Sequence, residues 1–238
     1  MPLEAVLLDM GGVLLDMRSS SGVPSGQLDH RGRQALLRRL GGRLRSEDLE
    51  DELFGPWRRQ YELRYQRGRE ADLAPHFERL RRRSGGGPTD EEMVEAWFEP
   101  YAESLRAMPG AVAAVEGLRR RGLGVALVSN VPLPGRLYRA ALAARGFDGL
   151  IDVYRFSYDS GHRKPSPYML RSALEEIGVA PAAAIMVGDR KQSDVAAGRA
   201  AGLGTAWIRS DYATGPAPDW TLDSIGELPD LVDRLAGT

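Results

Sequence analysis

An acidic residue ends the first apolar run of the sequence. Asp9 follows Ala5–Leu8 and is followed by Gly11 and Gly12, so it lies where a predicted strand ends and the chain turns. In an open α/β sheet, ligands bind beyond the carboxyl ends of the strands. Asp9 is therefore a candidate nucleophile or ligand-binding carboxylate, and the alternative is an acid that only stabilises a turn.

Two more acids flank a second turn of the same kind. Gly188 and Asp189 end the apolar run Ile185–Val187, and Asp194 follows five residues later. Carboxylates together with retained waters are the ligands that Mg²⁺ prefers. The pair predicts a magnesium site, and the alternative is a turn acid followed by an acid that stabilises a helix N-terminus.

A hydroxyl, an amide and a lysine complete the candidate chemistry. Ser129 and Asn130 follow the apolar run Val125–Val128, and Lys164 lies further along, after another such run. A hydroxyl beside backbone N–H groups can hold phosphate oxygens. The Lys164 ammonium can neutralise a phosphoryl group and keep Asp9 ionised. Each of these residues, taken alone, is also an ordinary loop or surface residue.

The composition narrows the class of protein and of partner. The chain has 238 residues, with Lys plus Arg 32, Asp plus Glu 33, a net charge of -1 and no Cys. This balance argues against a general nucleic-acid or membrane-surface binder. The absence of Cys excludes disulfides, cysteine-bound zinc and a thiol nucleophile. Lys164 and Lys191 are the only lysines and Asn130 the only asparagine, which favours a specific role for Lys164.

The N-terminal apolar stretch does not resemble a targeting segment. Leu3–Leu15 is interrupted by Glu4 and Asp9 and has no basic leader. It is also too short to span a bilayer. We therefore expect a cytoplasmic protein that is either a monomer or a homodimer.

The pattern of strands and helices predicts an α/β fold. Short apolar runs alternate with helix-length segments, which indicates a Rossmann-like parallel sheet between two layers of helices. The predicted strands are Glu4–Asp9, Val125–Val128, Ile151–Phe156, Ile185–Val187 and Thr205–Ile208.

The region between the first strand and residue 107 has a different character. It contains helical candidates and no convincing strand, which predicts an all-helical domain at 17–107 inserted into a core formed by 1–16 and 108–238. Its helices are predicted at Arg31–Leu40, Ser46–Tyr65, Ala71–Arg83 and Asp90–Leu105, with a Thr89-x-x-Glu92 capping box before the last.

Four stretches in this order resemble the motifs of the haloacid dehalogenase-like hydrolase superfamily. The stretches are Val6–Leu14, Val125–Asn130, Ser157–Pro165 and Val187–Asp194. The resemblance covers about residues 3–16 and 109–210. The helical insertion stands where the first subfamily of that superfamily carries its C1-type cap.

The resemblance implies a magnesium-dependent phosphatase that acts on a small phosphorylated metabolite through an aspartyl-phosphate. It implies the following roles: Asp9 as nucleophile, Lys164 and Ser129 as its catalytic partners, Gly11, Gly12 and Asn130 at the phosphate, and Asp9, the Gly11 carbonyl, Asp189 and Asp194 around Mg²⁺.

The sequence departs from the phosphatase pattern at one position. Phosphatases of this family usually carry a second Asp, the general acid and base, two residues after the nucleophile, and that position is Gly11 here. Such assistance contributes about 10²–10⁴-fold to a rate. Turnover could be kept through water, through Asp16, Asp159 or His162, or through a substrate whose leaving group needs little protonation, such as a sugar 1-phosphate or an acyl phosphate.

Two further interpretations remain open. One is a phosphate- or metabolite-binding relative with weak or no turnover. The other is a 2-haloacid dehalogenase-type hydrolase, which also lacks the second Asp. Family dehalogenases do not keep the acid pair represented here by Asp189 and Asp194, so these residues favour phosphate over halide chemistry.

The inserted helices are expected to cover the site and select the substrate. In family members with this cap, a loop between its helices contacts the substrate, and Tyr65–Glu70 matches that loop. Arg67 and Arg69 are therefore candidate binders of an anionic or sugar-like substrate. The alternative is a solvated turn in an arginine-rich protein.

Overall fold

The computed structural model describes residues 2–16, 25–65 and 67–236. Its centre is a six-stranded sheet in the order β5-β4-β1-β6-β7-β8, and every neighbouring pair is parallel. Two shorter strands, β2 and β3, pair antiparallel outside it. The strands are β1 (Ala5–Leu8), β2 (Leu15–Asp16), β3 (Arg106–Ala107), β4 (Gly124–Ser129), β5 (Val153–Phe156), β6 (Ala184–Gly188), β7 (Gly204–Ile208) and β8 (Trp220–Leu222).

Helices enclose this sheet, and the predicted three-layer α/β fold is confirmed. The buried residues of β1 alternate between two apolar clusters, with Val6 and Leu8 in one and Ala5 and Leu7 in the other. Both faces of the sheet are therefore packed, as parallel sheets require. The helices are α1 (Ser25–Arg39), α2 (Ser46–Leu49), α3 (Gly55–Tyr65), α4 (Ala74–Arg83), α5 (Asp90–Ser104), α6 (Ala111–Arg120), α7 (Gly135–Leu142), α8 (Ser157–Ser160), α9 (Tyr168–Ile177), α10 (Ala196–Ala201) and α11 (Leu228–Ala236).

In the chain, helices α1 to α5 lie between the short strands β2 and β3. β2 and β3 pair through Leu15 with Ala107 and Asp16 with Arg106, so the chain leaves and re-enters the sheet region at one place. The division into a core and an inserted helical domain stays a prediction, and β3 lies at the end of the range 17–107 that was expected to be all-helical. Residue 17 itself lies outside the described residues. A π-helical turn at Glu50–Phe54 joins α2 to α3 into one helical stretch.

The predicted capping box is confirmed at the start of α5. The Thr89 hydroxyl accepts a hydrogen bond from the Glu92 backbone at 3.2 Å, and the Glu92 carboxylate accepts one from the Thr89 backbone at 2.8 Å. The two reciprocal bonds satisfy N–H groups that have no partner inside the helix.

Several elements differ from the sequence-based prediction. α1 begins at Ser25 rather than Arg31, and β5 begins at Val153 rather than Ile151. α4 begins at Ala74 rather than Ala71, because Pro75 occupies its first turn and the Asp72 carboxylate accepts from the Ala74 N–H at 3.0 Å. β8 was not predicted, since three residues are too few for a visible alternation. Its Trp220 packs on β7 at Gly204, where an added Cβ would lie 2.9 Å from the indole ring.

Within the described part of the chain, no helix is both long and apolar enough to cross a membrane.

Candidate active site

The register of the sheet brings three predicted site residues to one edge. The last residue of β1 pairs with Leu127 of β4 and with Val187 of β6. Asp9 follows β1 directly, and Ser129 and Asp189 each lie two positions beyond those paired residues. All three side chains are buried. The carboxyl ends of the central strands therefore form the floor of a site.

Lys164 lies at the centre of this floor. Its ammonium is 2.9 Å from Asp9 Oδ1 and 2.8 Å from Asp194 Oδ1, and it donates to the Val128 carbonyl at 2.7 Å. The residue is 1% exposed, so all three contacts are made out of water. A buried ammonium needs such a set of acceptors, and its three N–H donors match the three oxygens around it.

The buried charges shift one another's protonation. Burial alone would lower the pKa of Lys164, but the Asp194 and Asp9 carboxylates outweigh it and hold that pKa above its ordinary value. Burial raises the pKa of Asp194, and the Lys164 ammonium offsets this rise only in part. The Lys164 ammonium therefore stays charged beside the two carboxylates.

Asp9, Asp189 and Asp194 fit a divalent cation. One carboxylate oxygen from each can be chosen so that all three lie within 4.8 Å of one another, and all three residues are buried. An all-oxygen donor set is what Mg²⁺ binds. The Lys164 ammonium and the Arg190 guanidinium, which lies 3.8 Å from Asp189 Oδ1, offset part of the charge of the three carboxylates, and a dication would neutralise the remainder. These residues therefore fit the predicted cofactor.

Two glycines permit the close approach of the acids. Gly12 has φ +73°, and an added Cβ would lie 2.5 Å from Asp189 Oδ2. A Cβ at Gly188 would collide with the Asp194 side chain. Larger residues at either position would push the carboxylates away from their places in the cluster.

Asn130 fixes the position of Lys164. The Lys164 backbone N–H donates to Asn130 Oδ1 at 2.8 Å, and Asn130 Nδ2 donates to the Lys164 carbonyl at 2.9 Å. The side chain of Asn130 is thus engaged within the protein. The backbone N–H of Asn130 is therefore the group of this residue that could bind a phosphoryl oxygen.

A cavity of about 820 Å³ opens above these residues. Its floor includes the predicted residues Asp9, Gly11, Gly12, Ser129, Asn130, Lys164 and Asp189. Its remaining lining includes Tyr61, Tyr101, Arg163, Arg190, Gln192, Ser193, Asp211, Tyr212 and Thr214. The volume is that of a site for a small molecule.

Arg67 and Arg69 are not brought to this cavity. Both are exposed, neither lines the cavity, and Arg69 lies beside His162. The position expected for them is taken by Tyr61 of α3 and by Arg163 of the core. The remainder of the predicted loop includes Gln66, which lies outside the described residues.

The suggested substitutes for the missing acid are also elsewhere. Asp16 belongs to the β2–β3 stem, Asp159 accepts from the Gly135 N–H at 3.1 Å, and His162 stacks on Tyr168 at 3.7 Å. None of the three substitutes lines the cavity as described. None of these three residues therefore replaces the general acid that is missing at Gly11.

The sequence-based reasoning missed several cavity residues. Tyr61, Tyr101, Arg190 and Tyr212 line the cavity, and no motif of the sequence pointed to them. Burial, with Asp16 adding to it, raises the pKa of Tyr101, so its phenol stays protonated at neutral pH. For Arg163 a signal was present, because it directly precedes the predicted Lys164.

The fold and this site are those of a known family of hydrolases. The family model described as haloacid dehalogenase-like hydrolase matches residues 3–202, so the chain belongs to that family. The resemblance drawn from the four motifs is confirmed, and so is the prediction that the protein is an enzyme of this class.

The relatives matched by sequence include phosphatases. A phosphoserine phosphatase of Thermus thermophilus is 38% identical over 127 residues, which cover 52% of this chain and 49% of that protein. A glyceraldehyde 3-phosphate phosphatase of Methanopyrus kandleri is 26% identical over 98% of this chain and 99% of that protein. The second match extends over the inserted helices as well as the core.

The fold is shared with hydrolases of another specificity. A 2-haloacid dehalogenase of Pseudomonas syringae pv. Tomato superposes with a TM-score of 0.69, covering 98% of this chain and 99% of that one at 18% identity. Similarity at this level establishes the fold alone. The choice between phosphate and halide chemistry rests on the site.

Proposed function

We propose that the protein is a Mg²⁺-dependent phosphomonoester hydrolase that acts on a small phosphorylated metabolite. The observation that carries the proposal is the Lys164 ammonium, buried 2.9 Å from Asp9 and 2.8 Å from Asp194 beneath an open cavity. An ammonium and a dication site beside one carboxylate suit the transfer of a highly charged group to that carboxylate.

In this proposal Asp9 is the nucleophile. A carboxylate oxygen of Asp9 attacks phosphorus and an aspartyl-phosphate forms on Asp9. The bond from phosphorus to the leaving oxygen breaks, and this oxygen keeps the electron pair and takes a proton from water. Water then attacks that phosphorus and releases inorganic phosphate and the free Asp9 carboxylate. Two observations support this assignment. The relatives described above are phosphatases, and Asp9 is buried directly after β1.

The other residues hold the phosphoryl group. Ser129 and the backbone amide of Asn130 would bind its oxygens, with Gly11 and Gly12 forming the turn beside them, and Lys164 would offset its charge. Asp9, the Gly11 carbonyl, Asp189 and Asp194 would hold Mg²⁺, which supplies further charge neutralisation when bound.

Gly11 supports a second candidate, a phosphate-binding relative with weak turnover. The Gly11 position carries no acid, and none of the three suggested substitutes lines the cavity. For an enzyme, the same observation favours substrates whose leaving group departs with little protonation. The cytoplasmic location, the monomer or homodimer and the absence of a nucleic-acid partner belong to this proposal and rest on the sequence.

Hydrolysis of p-nitrophenyl phosphate in the presence of Mg²⁺ tests the proposal. The wild-type protein should release nitrophenol, and Asp9→Asn or a chelator should abolish the release. Brief incubation followed by acid quench should leave one phosphoryl group on the peptide that contains Asp9. The exposed variant Asp148→Asn is the matched control and should behave as wild type.

Three other outcomes would overturn the assignment. Binding of phosphates without turnover would support the weak-turnover relative. Release of halide from 2-haloacids in the presence of chelator would support a dehalogenase. Unchanged hydrolysis in Asp9→Asn would place the chemistry elsewhere.

A further inference from the structure

The loop that follows α3 pairs with the loop that carries Lys164. The Arg163 N–H donates to the Gly68 carbonyl at 2.9 Å, and the Glu70 N–H donates to the Gly161 carbonyl at 3.1 Å. The two segments therefore form a short antiparallel contact between the inserted helices and the core. Gly68 has φ +62°, and an added Cβ would lie 2.8 Å from the Ser166 side chain.

A buried ion pair closes this contact. Arg163 Nη1 lies 3.1 Å from Glu70 Oε1 and 3.2 Å from Oε2, and their side chains are only 7% and 3% exposed. The Ser157 hydroxyl also donates to Glu70 Oε2 at 2.6 Å. Separating the two segments would leave both charges without these partners, which is far more costly than breaking a surface ion pair.

The ion pair is connected to both loops of the phosphate site. Arg163 directly precedes Lys164 in the chain. The Ser157 hydroxyl, which donates to Glu70, accepts from the N–H of Val131 at 2.8 Å, and Val131 directly follows Asn130. Glu70 is thus hydrogen-bonded, through one residue each, to the segments on which Asn130 and Lys164 lie.

The ion pair also places a cavity residue. Arg163 Nη2 donates to the Tyr61 hydroxyl at 2.8 Å, and its guanidinium lies 4.4 Å from the centre of the Tyr61 ring. Tyr61 belongs to α3 and lines the cavity above Asp9. The core residue Arg163 therefore fixes where a residue of the inserted helices meets the substrate space.

We propose that Glu70 and Arg163 are positioning residues, which hold the inserted helices against the core and set Lys164, Asn130 and Tyr61 in place for the reaction. The catalytic part of this inference rests on the proposed phosphatase function. The structural part is that the ion pair holds residues 67–70 against residues 161–163. This part is independent of any activity. Neither residue is assigned a contact with the reacting atoms.

Hydrogen exchange of the backbone amides tests the structural part on the intact protein. Glu70→Gln and Arg163→Met should each speed exchange at the Arg163 and Glu70 amides by about 100-fold. The double variant should exchange more slowly than Arg163→Met, because it leaves no buried carboxylate unpaired. Arg83→Met, which breaks the ion pair of Arg83 with Asp48 inside the inserted helices, is the control and should leave both amides as in wild type.

Steady-state kinetics with p-nitrophenyl phosphate test the catalytic part. Glu70→Gln should lower kcat by about 10–100-fold, because a small displacement of Lys164 is enough for such a loss. Arg163→Lys should recover part of the kcat lost in Arg163→Met. A purely structural role would lower the melting temperature and leave kcat of the folded protein unchanged, and that result would overturn the catalytic part of the proposal.

A milder pair of variants covers the case in which the charge variants do not fold. Gly68→Ala keeps both charged side chains and strains the loop against Ser166, so exchange at Arg163 should rise and kcat should fall. Gly149→Ala has a similar φ of +68° with no neighbour within 4 Å and should do neither. Unchanged exchange in Gly68→Ala would refute the seating role. Faster exchange in a protein that shows no phosphatase activity would refute only the proposed function.

Discussion

The side chain of Asn130 forms hydrogen bonds to both backbone groups of Lys164, at 2.8 Å from the Lys164 N–H and at 2.9 Å to the Lys164 carbonyl. The two residues are 34 positions apart and follow different strands of the sheet. The amide side chain is the one that offers a donor and an acceptor side by side for this arrangement. The position of the buried ammonium therefore depends on Asn130.

Removing this amide should impair catalysis more than metal binding. Asn130→Ala should lower kcat for p-nitrophenyl phosphate by about 10–100-fold, because Lys164 is no longer held opposite Asp9. It should also lower the free energy of unfolding by about 1–3 kcal/mol, since backbone groups of Lys164 lose their partners. Asn130→Asp keeps the acceptor but places an oxygen against the Lys164 carbonyl, and should also lose activity.

The stabilisation of Asn130→Ala by Mg²⁺, measured as a shift in melting temperature, should match that of wild type. A wild-type kcat in Asn130→Ala would contradict the role assigned to these two hydrogen bonds.

Gly12 should be needed for its lack of a side chain as well as for its backbone conformation. Gly12→Ala and Gly149→Ala both place a Cβ at positive φ, +73° and +68°, which costs about 1 kcal/mol of stability. At Gly12 the new Cβ would also meet Asp189 Oδ2 at 2.5 Å, whereas Gly149 has no neighbour within 4 Å. Both variants should lose a similar amount of stability. Only Gly12→Ala should weaken Mg²⁺ binding, measured by titration calorimetry. Equal Mg²⁺ affinities would remove the role given to this close approach.

Mg²⁺ should stabilise the folded protein through the three buried carboxylates. At a concentration 100 times the Kd, a ligand that binds only the folded state adds about 2.7 kcal/mol to the free energy of unfolding. Asp189→Asn should lose most of this gain, measured by urea denaturation with and without Mg²⁺. Asp148→Asn, at an exposed position, should keep it. A gain of equal size in Asp189→Asn would show that the metal binds elsewhere.

The floor of the site could be predicted because strand ends are visible in a sequence. Asp9, Ser129 and Asp189 each follow a short apolar run, and a parallel sheet brings the carboxyl ends of its strands to one edge. The rarity of lysine helped with Lys164, but it does not identify a function by itself. Lys191 is equally rare, and its ammonium lies 4.1 Å from the centre of the Trp207 ring, outside the cavity lining.

The contact between the inserted helices and the core could not be predicted in the same way. The sequence pointed to Arg67 and Arg69 as the residues that meet the site, whereas the neighbouring Glu70 turns inward to Arg163, 93 positions away. The loop turns at Gly68, which has φ +62°, and no periodic pattern encodes this turn. The prediction of an inserted helical region needed only the helical spacing of apolar residues, which is local.

Acid should destabilise the inserted helices through His76. This residue is buried, and burial together with the Arg79 guanidinium lowers its pKa below the ordinary 6.5. As pH falls through 6.5, the unfolded chain takes up a proton before the folded protein does. The free energy of unfolding should therefore fall below that pH, until His76 in the folded protein also titrates.

Urea denaturation at several pH values would measure this loss. His76→Gln should have a shallower dependence on pH in that range than wild type. His30→Gln, at an exposed position, controls for the removal of a histidine. An identical slope in wild type and His76→Gln would exclude His76 as the source.

The rate should depend steeply on the leaving group, because Gly11 offers no acid to protonate it. Aryl and acyl phosphates should be hydrolysed much faster than alkyl phosphates of similar size, measured as kcat/KM. Gly11→Asp should raise kcat/KM for alkyl phosphates more than for aryl phosphates, up to the 10²–10⁴-fold or so that acid–base assistance provides. Gly11→Ala is the matched control and should leave the ratio between the two classes unchanged. If wild type hydrolyses alkyl and aryl phosphates equally well, another group supplies the proton, and the protonated phenol of Tyr101 in the cavity lining is the first to replace by Phe.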